Sequence, residues 1–181
     1  MALPDLFTDP VAMAALVIVL AVIGHVQQGF TWTEYATIHR VKRRLFPLAD
    51  RVWPRFVHEK GRTEDAEYVC TVDQRPRSVW KQLVSEGASP HVLSSLKRRP
   101  GSPSAGQTAP PEYSAAHVRW QHGDGYQSEA YCFRNSNGST DVYAHYEPAV
   151  TRVRAHLDGS NQRDGDVTGV VRAALGRKPE Q

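Results

Sequence analysis

The sequence predicts an α+β protein: an N-terminal transmembrane helix and amphipathic collar, then a small, mainly antiparallel four-stranded sheet with helices on one face. Three observations predict it. Val11 to Val26 is an unbroken apolar stretch with one polar member, His25, and no acid or base. A cluster of bases follows. Beyond residue 66, short alternating segments are separated by glycine and asparagine turns.

An α-helix rises ~1.5 Å per residue against a hydrocarbon core of ~30 Å, so residues 11–26 need their flanks to span it. Asp9-Pro10 supplies an N-cap carboxylate and a proline in the first turn, and Gln27 to Phe30 extend the other end. Val11, Leu16, Ile18, Leu20 and Ile23 are the expected anchor residues, with Trp32 and Tyr35 at headgroup depth. A cleaved signal peptide fits less well, because residues 1–10 hold two acids and no base. A buried helix of a soluble core is the remaining alternative.

The net charge of +3 is unevenly placed: −2 over residues 1–24, +5 over residues 25–62 and 0 over residues 63–181. Bases near a span stay on the cytoplasmic side, so Arg40, Lys42, Arg43 and Arg44 predict a single-pass cell-membrane protein, N-terminus outside and C-terminal domain cytoplasmic. The lipid membrane is then the first expected partner, its anionic headgroups facing the collar. With a neutral remainder, nucleic acid loses its compositional support. Cys70 and Cys132 are too few for a disulfide framework and read as small buried hydrophobes.

The expected organisation is an N-terminal segment and transmembrane helix over 1–30, a basic amphipathic juxtamembrane segment over 31–62, an α+β domain over 63–176 and a disordered tail over 177–181. Thr31 to Glu34 reads as a capping box opening a helix that Pro47 should end or kink. This helix could lie on the membrane or pack on the domain. Alternation predicts a strand over 67–73, and Pro76 then opens a helix through Glu86, stopped at Gly87. Residues 91–99 fit a short helix, and the Pro/Ser/Gly run 100–111 fits a mobile loop. Strands over 113–122, 126–134 and 140–147 are joined by Gly123-Asp124-Gly125 and by a turn containing Asn137-Gly138, giving a meander. Helices over 148–157 and 167–175 complete the chain.

Chemistry is harder to locate. His145 and Glu147 share a strand face, with His117 and His122 on a neighbouring strand, but there is no H-E-x-x-H, Cys-x-x-Cys or facial-triad spacing. No metal site is assigned. G-x-S-x-G, P-loop and dinucleotide-binding patterns are absent, so no catalytic residue and no cofactor is assigned either. Lys97, Arg98 and Arg99, with His145 and Glu147, are the candidate interaction residues. Together with the strand aromatics the three bases could form a nucleic-acid face, or simply a solvated helix end.

The stretches EYVCTVD (67–73), VLSSLKRRP (92–100) and TDVYAHYEP (140–148) resemble segments of small uncharacterised proteins encoded by haloarchaea and their viruses. The resemblance spans roughly residues 67–175 and implies a source and an architecture, with no activity attached to any position. Such proteins are usually acidic, whereas this domain balances its charges. The sequence thus leads to a membrane-anchored interaction module with another protein as partner, its small-molecule ligand unknown. A membrane-tethered nucleic-acid binder is the alternative, and a metal-dependent enzyme a further one.

Overall fold

The computed structural model describes residues 30–52, 61–102, 112–149 and 167–176, residues 93, 95 and 124 excepted, with the side chains of 47–52 also left aside. Its elements are α1 (Trp32–Val52), a 3-10 turn (Asp65–Glu67), β1 (Tyr68–Val72), α2 (Pro76–Ser85), β2 (Ser89–Pro90), β3 (Ala116–Gln121), β4 (Tyr126–Arg134), β5 (Thr140–Pro148) and α3 (Val167–Ala174). The architecture is α+β, and the sheet runs β1-β5-β4-β3-β2 with every pair antiparallel.

Two-residue alternation separates the faces of this sheet. Ala116, Val118, Ala130, Cys132, Val142 and Ala144 meet on one face, in registers such as Val118↔Ala130↔Ala144. They pack in the main core with Val79, Trp80 and Leu83 of α2 and Val171 and Ala174 of α3. Side chains as fully buried as Val79 and Leu83, both 0% exposed, each contribute ~1.5–3 kcal/mol of hydrophobic stabilisation. The opposite face carries His117, Glu129, Tyr131 and His145, also buried. The segment after β2 lays side chains over it: Lys97 Nζ stands 5.4 Å from the centre of the Tyr131 ring and the Arg99 guanidinium 5.1 Å from that of Phe133.

Both tight connections of the meander form. Gly138, at φ 90°, closes the β4–β5 turn with its N–H donating to Asn135 O at 3.0 Å, a left-handed position that glycine occupies without strain. Arg99 braces the same turn, donating to Asp141 at 2.5 Å and to Asn135 Oδ1 at 3.0 Å.

Several expectations are corrected. The sheet has five strands rather than four, because Ser89 and Pro90 pair with Arg119 and Val118 at the outer edge of β3. Two residues are too short to alternate, and Pro90 lacks the N–H of an interior strand residue. Residues 91–99 do not form a helix: the backbone of Arg98 donates to Gly61 O, Arg99 to Glu112 O, and Lys97 O accepts from Ser114. α1 continues through Pro47 to Val52.

The single-pass membrane topology is corrected too. Among the described residues no helix is long and apolar enough to cross a membrane. α1 is long but carries Glu34, Arg40, Lys42, Arg43 and Arg44. The stretch Val11 to Val26, with the anchor residues Val11, Leu16, Ile18, Leu20 and Ile23, lies outside the described residues. The residues read as a headgroup collar have other work in the fold. Lys42 Nζ donates to Val92 O and Ser94 O at 2.9 and 2.5 Å, and Arg43 Nη2 to Tyr113 O at 2.6 Å. Trp32 and Tyr35, read as interfacial rings, pack on Trp80 instead, the first edge-to-face and the second tilted, at centroid distances of 5.3 and 5.5 Å. Arg40 and Arg44 remain exposed. The cell-membrane localisation with an outside N-terminus and a cytoplasmic domain therefore has no support from the described structure.

α1 opens on the expected box, Thr31 N–H donating to Glu34 Oε2 at 2.7 Å and Glu34 N–H to Thr31 Oγ1 at 3.4 Å. It lies against the end of β3. His39 Nε2 donates to Ser114 O at 2.6 Å, and the Tyr35 hydroxyl accepts the His117 N–H at 2.7 Å, just where β2 stops. The other outer strand, β1, shifts register against β5 between Tyr68 and Cys70, a bulge. Pro148, expected to open a helix over 148–157, ends β5 instead; residues 150–157, residues 103–111 of the expected loop 100–111 and the tail 177–181 lie outside the described residues.

Candidate metal centre

On the polar face the antiparallel register sets Arg119, Glu129 and His145 side by side across β3, β4 and β5, and Gln127 beside Glu147. Glu129 is the centre of the group. Its Oε1 accepts from His91 Nε2 at 2.7 Å and Gln127 Nε2 at 2.8 Å, and its Oε2 from His117 Nε2 at 2.9 Å. A carboxylate 3% exposed without such partners would cost several kcal/mol. Burial disfavours the Glu129 charge, yet His91, His117 and His145 together hold its carboxyl well below the usual range.

The histidines divide into two kinds. Burial pushes the His117 imidazole down to about 3 and that of His91 in the same direction, against the pull of Glu129. Burial thus favours their neutral forms, in which each still donates its Nε2–H to Glu129. His145 behaves in the opposite way. Burial and Lys97 both disfavour its charge, but the carboxylates of Glu129, Glu147 and Glu67 around it outweigh them and raise it to about 10.

His145 is aimed. Its Nδ1 donates to Glu67 Oε1 at 2.7 Å, which turns Nε2 toward Glu129 Oε2 at 3.5 Å and Glu147 Oε2 at 3.4 Å. Gln127 Nε2 ties the other oxygens, Oε1 of Glu129 and Oε1 of Glu147, both at 2.8 Å. Each carboxylate thus presents its remaining oxygen to one point. Nε2 of His145 is buried and has no hydrogen-bond partner among the described residues. One ligand atom from each of Glu129, His145 and Glu147 lies within 4.8 Å of the others. Atoms held ~2.0–2.1 Å from a tetrahedral zinc ion stand ~3.3–3.4 Å apart, and the two His145 separations lie near that edge length.

Of the residues singled out in the sequence, His145 and Glu147 join this centre, on the shared face their spacing implied. His117 reaches it through Glu129. His122 does not, since its Nε2 pairs with Ser128 Oγ at 2.8 Å on the apolar side. Lys97 and Arg98 are 7% and 9% exposed, so the solvated basic helix end is not formed. Arg99 also bonds Glu112 at 2.9 Å. Glu67, His91, Gln127 and Glu129 were not singled out. Glu129 is visible only as the lone acid in an alternating strand, and Glu67 reaches His145 across 78 residues.

No protein-family model, curated protein or solved structure matches the chain. The likeness of residues 67–175 to haloarchaeal proteins therefore stands on the sequence motifs alone.

Proposed function

We propose that this protein is a divalent-metal-binding domain in which His145 Nε2, Glu129 Oε2 and Glu147 Oε2 hold one ion of the zinc class. The observation that carries the reading is the convergence of these three atoms on a point, with Nε2 of His145 no closer than 3.4 Å to either carboxylate and its other nitrogen fixed by Glu67. A carboxylate on the far nitrogen of a metal-bound histidine fixes its tautomer and strengthens it as a ligand. One imidazole and two carboxylates suit zinc, and also manganese or iron. Three protein ligands leave a coordination position open, the pattern of Lewis-acid rather than purely structural sites, which favours a metal-dependent enzyme.

The test is titration of the chelator-treated full chain with Zn2+ and Mn2+ by calorimetry, with metal content measured after dialysis. One equivalent of zinc with submicromolar affinity, weakened at least 100-fold by Glu129→Gln or Glu147→Gln, is the expected result. No binding at micromolar zinc would mean that the group is an ion-pair lock around the His145 imidazolium, and would sink the proposal.

α1 favours a second reading. Val41 and Leu45, 51% and 58% exposed, form an apolar ridge one turn apart beside Arg40 and Arg44, consistent with a protein partner bound there. Val41→Asp with Leu45→Asp would abolish such an association while leaving zinc binding intact; self-association and partner binding unchanged in this variant would discard it.

A further inference from the structure

Resting on the metal-site reading, we infer that the ion's open position takes a dianionic phosphate monoester, held beside it by Lys97 and Arg119. The inference comes from the charge that the fold gathers on the polar face. Three carboxylates meet there, Glu67, Glu129 and Glu147. Three cations face them.

Lys97 arrives from the covering segment, its ammonium over the Tyr131 ring, whose hydroxyl lies 3.3 Å from His145 Nδ1. Arg119 sits opposite Glu129 in the β3–β4 register. Lys42 reaches in from α1 beneath the carbonyls of Val92 and Ser94, close enough for its charge to be felt at Glu129. Lys97 and Arg119 are each 7% exposed, so solvent screens them poorly. With the His145 proton gone, these fixed charges balance, three against three. A divalent ion on neutral His145 leaves two positive charges in excess in a largely buried site.

Buried charge without compensation is unfavourable, so the loaded site should draw in an anion. The size of the excess selects its class. A phosphate monoester carries close to two negative charges at pH 7, offers an oxygen to the metal and further acceptors to Lys97 and Arg119, and cancels the excess. A phosphodiester or a carboxylate, with one charge, leaves half of it. The rim of the site is formed by Glu147 and Glu67, whose side chains are 12% and 16% exposed.

The experiment uses the full chain loaded with Co2+, whose visible spectrum reports an anion entering the coordination sphere, titrated with phenyl phosphate and separately with diphenyl phosphate and acetate. Phenyl phosphate should change the spectrum and bind at least 10-fold more tightly than either monoanion. Lys97→Met should bind metal in anion-free buffer at least as tightly as the parent, because a repelling charge is gone, yet lose at least 10-fold in phenyl phosphate affinity and most of its preference over the diester. Lys97→Arg should restore both. Metal binding with no response to phenyl phosphate up to millimolar concentration, or equal affinity for monoester and diester, would overturn the anion inference and leave the metal site standing. Failure to bind Co2+ in anion-free buffer would overturn both.

Discussion

Glu67 Oε1 and His145 Nδ1 lie 2.7 Å apart, joining the 3-10 turn before β1 to the middle of β5. The turn is itself fixed, since the Glu67 carboxylate also accepts the Glu64 N–H at 2.7 Å. A backbone feature thereby sets which histidine nitrogen faces Glu129 and Glu147. Glu67→Gln keeps an acceptor but removes the charge that makes His145 a strong ligand. Zinc affinity, measured by competition with a chromogenic chelator, should fall ~10–100-fold with the fold retained.

Zinc binding should also appear as stability. Free zinc at 100 times its dissociation constant adds ~2.7 kcal/mol to the folded state if the unfolded chain does not bind it. Thermal unfolding should shift upward by several degrees with zinc in the parent and not in Glu129→Gln.

Tyr35 tests whether α1 belongs to the domain. Its ring is 1% exposed, and its hydroxyl is the acceptor for the His117 N–H. Tyr35→Phe keeps the ring and leaves that N–H unsatisfied, so urea unfolding should show a loss of ~1–3 kcal/mol. A helix detached from the domain would show no loss.

His39 sets an acid limit. Burial first, then the neighbouring Lys42 and Arg43, push its imidazole down to about 4 against the Ser114 hydrogen bond that favours its charge. The unfolded chain takes up this proton near pH 6.5 and the folded chain only near 4, so stability falls as pH drops through that window. The limiting contribution is roughly 3 kcal/mol. His39→Gln retains a donor for Ser114 and should reduce the slope between pH 6.5 and 4 by about one proton's share, the buried His91 and His117 keeping the rest, in denaturation measured across that range.

The parts of this fold written in short-range pattern were legible. Alternation and the two glycine turns located β3, β4 and β5, and Pro76 with Val79, Trp80 and Leu83 located α2. What depends on distant partners was not. The period-two pattern reveals that Glu129 and His145 lie on strands, but not that the register sets them side by side. Nothing local in Glu67 or His91 points to either. Arg40 to Arg44 misled because a basic, amphipathic segment reads alike whether its charges face lipid or, as with Lys42 and Arg43, bond backbone carbonyls of the same chain.

The two borders of the sheet have a consequence for the chain among its own copies. An outer strand with a long row of unpaired amides and carbonyls invites a second molecule to add on. Here β1 is interrupted by its bulge, β2 is two residues long and ends in proline, and the Tyr35 phenol takes up the amide exposed where β2 stops. Neither border offers a template for growth. Deleting the segment that carries Tyr35 would reopen one of them, and the shortened chain would be prone to assemble strand upon strand.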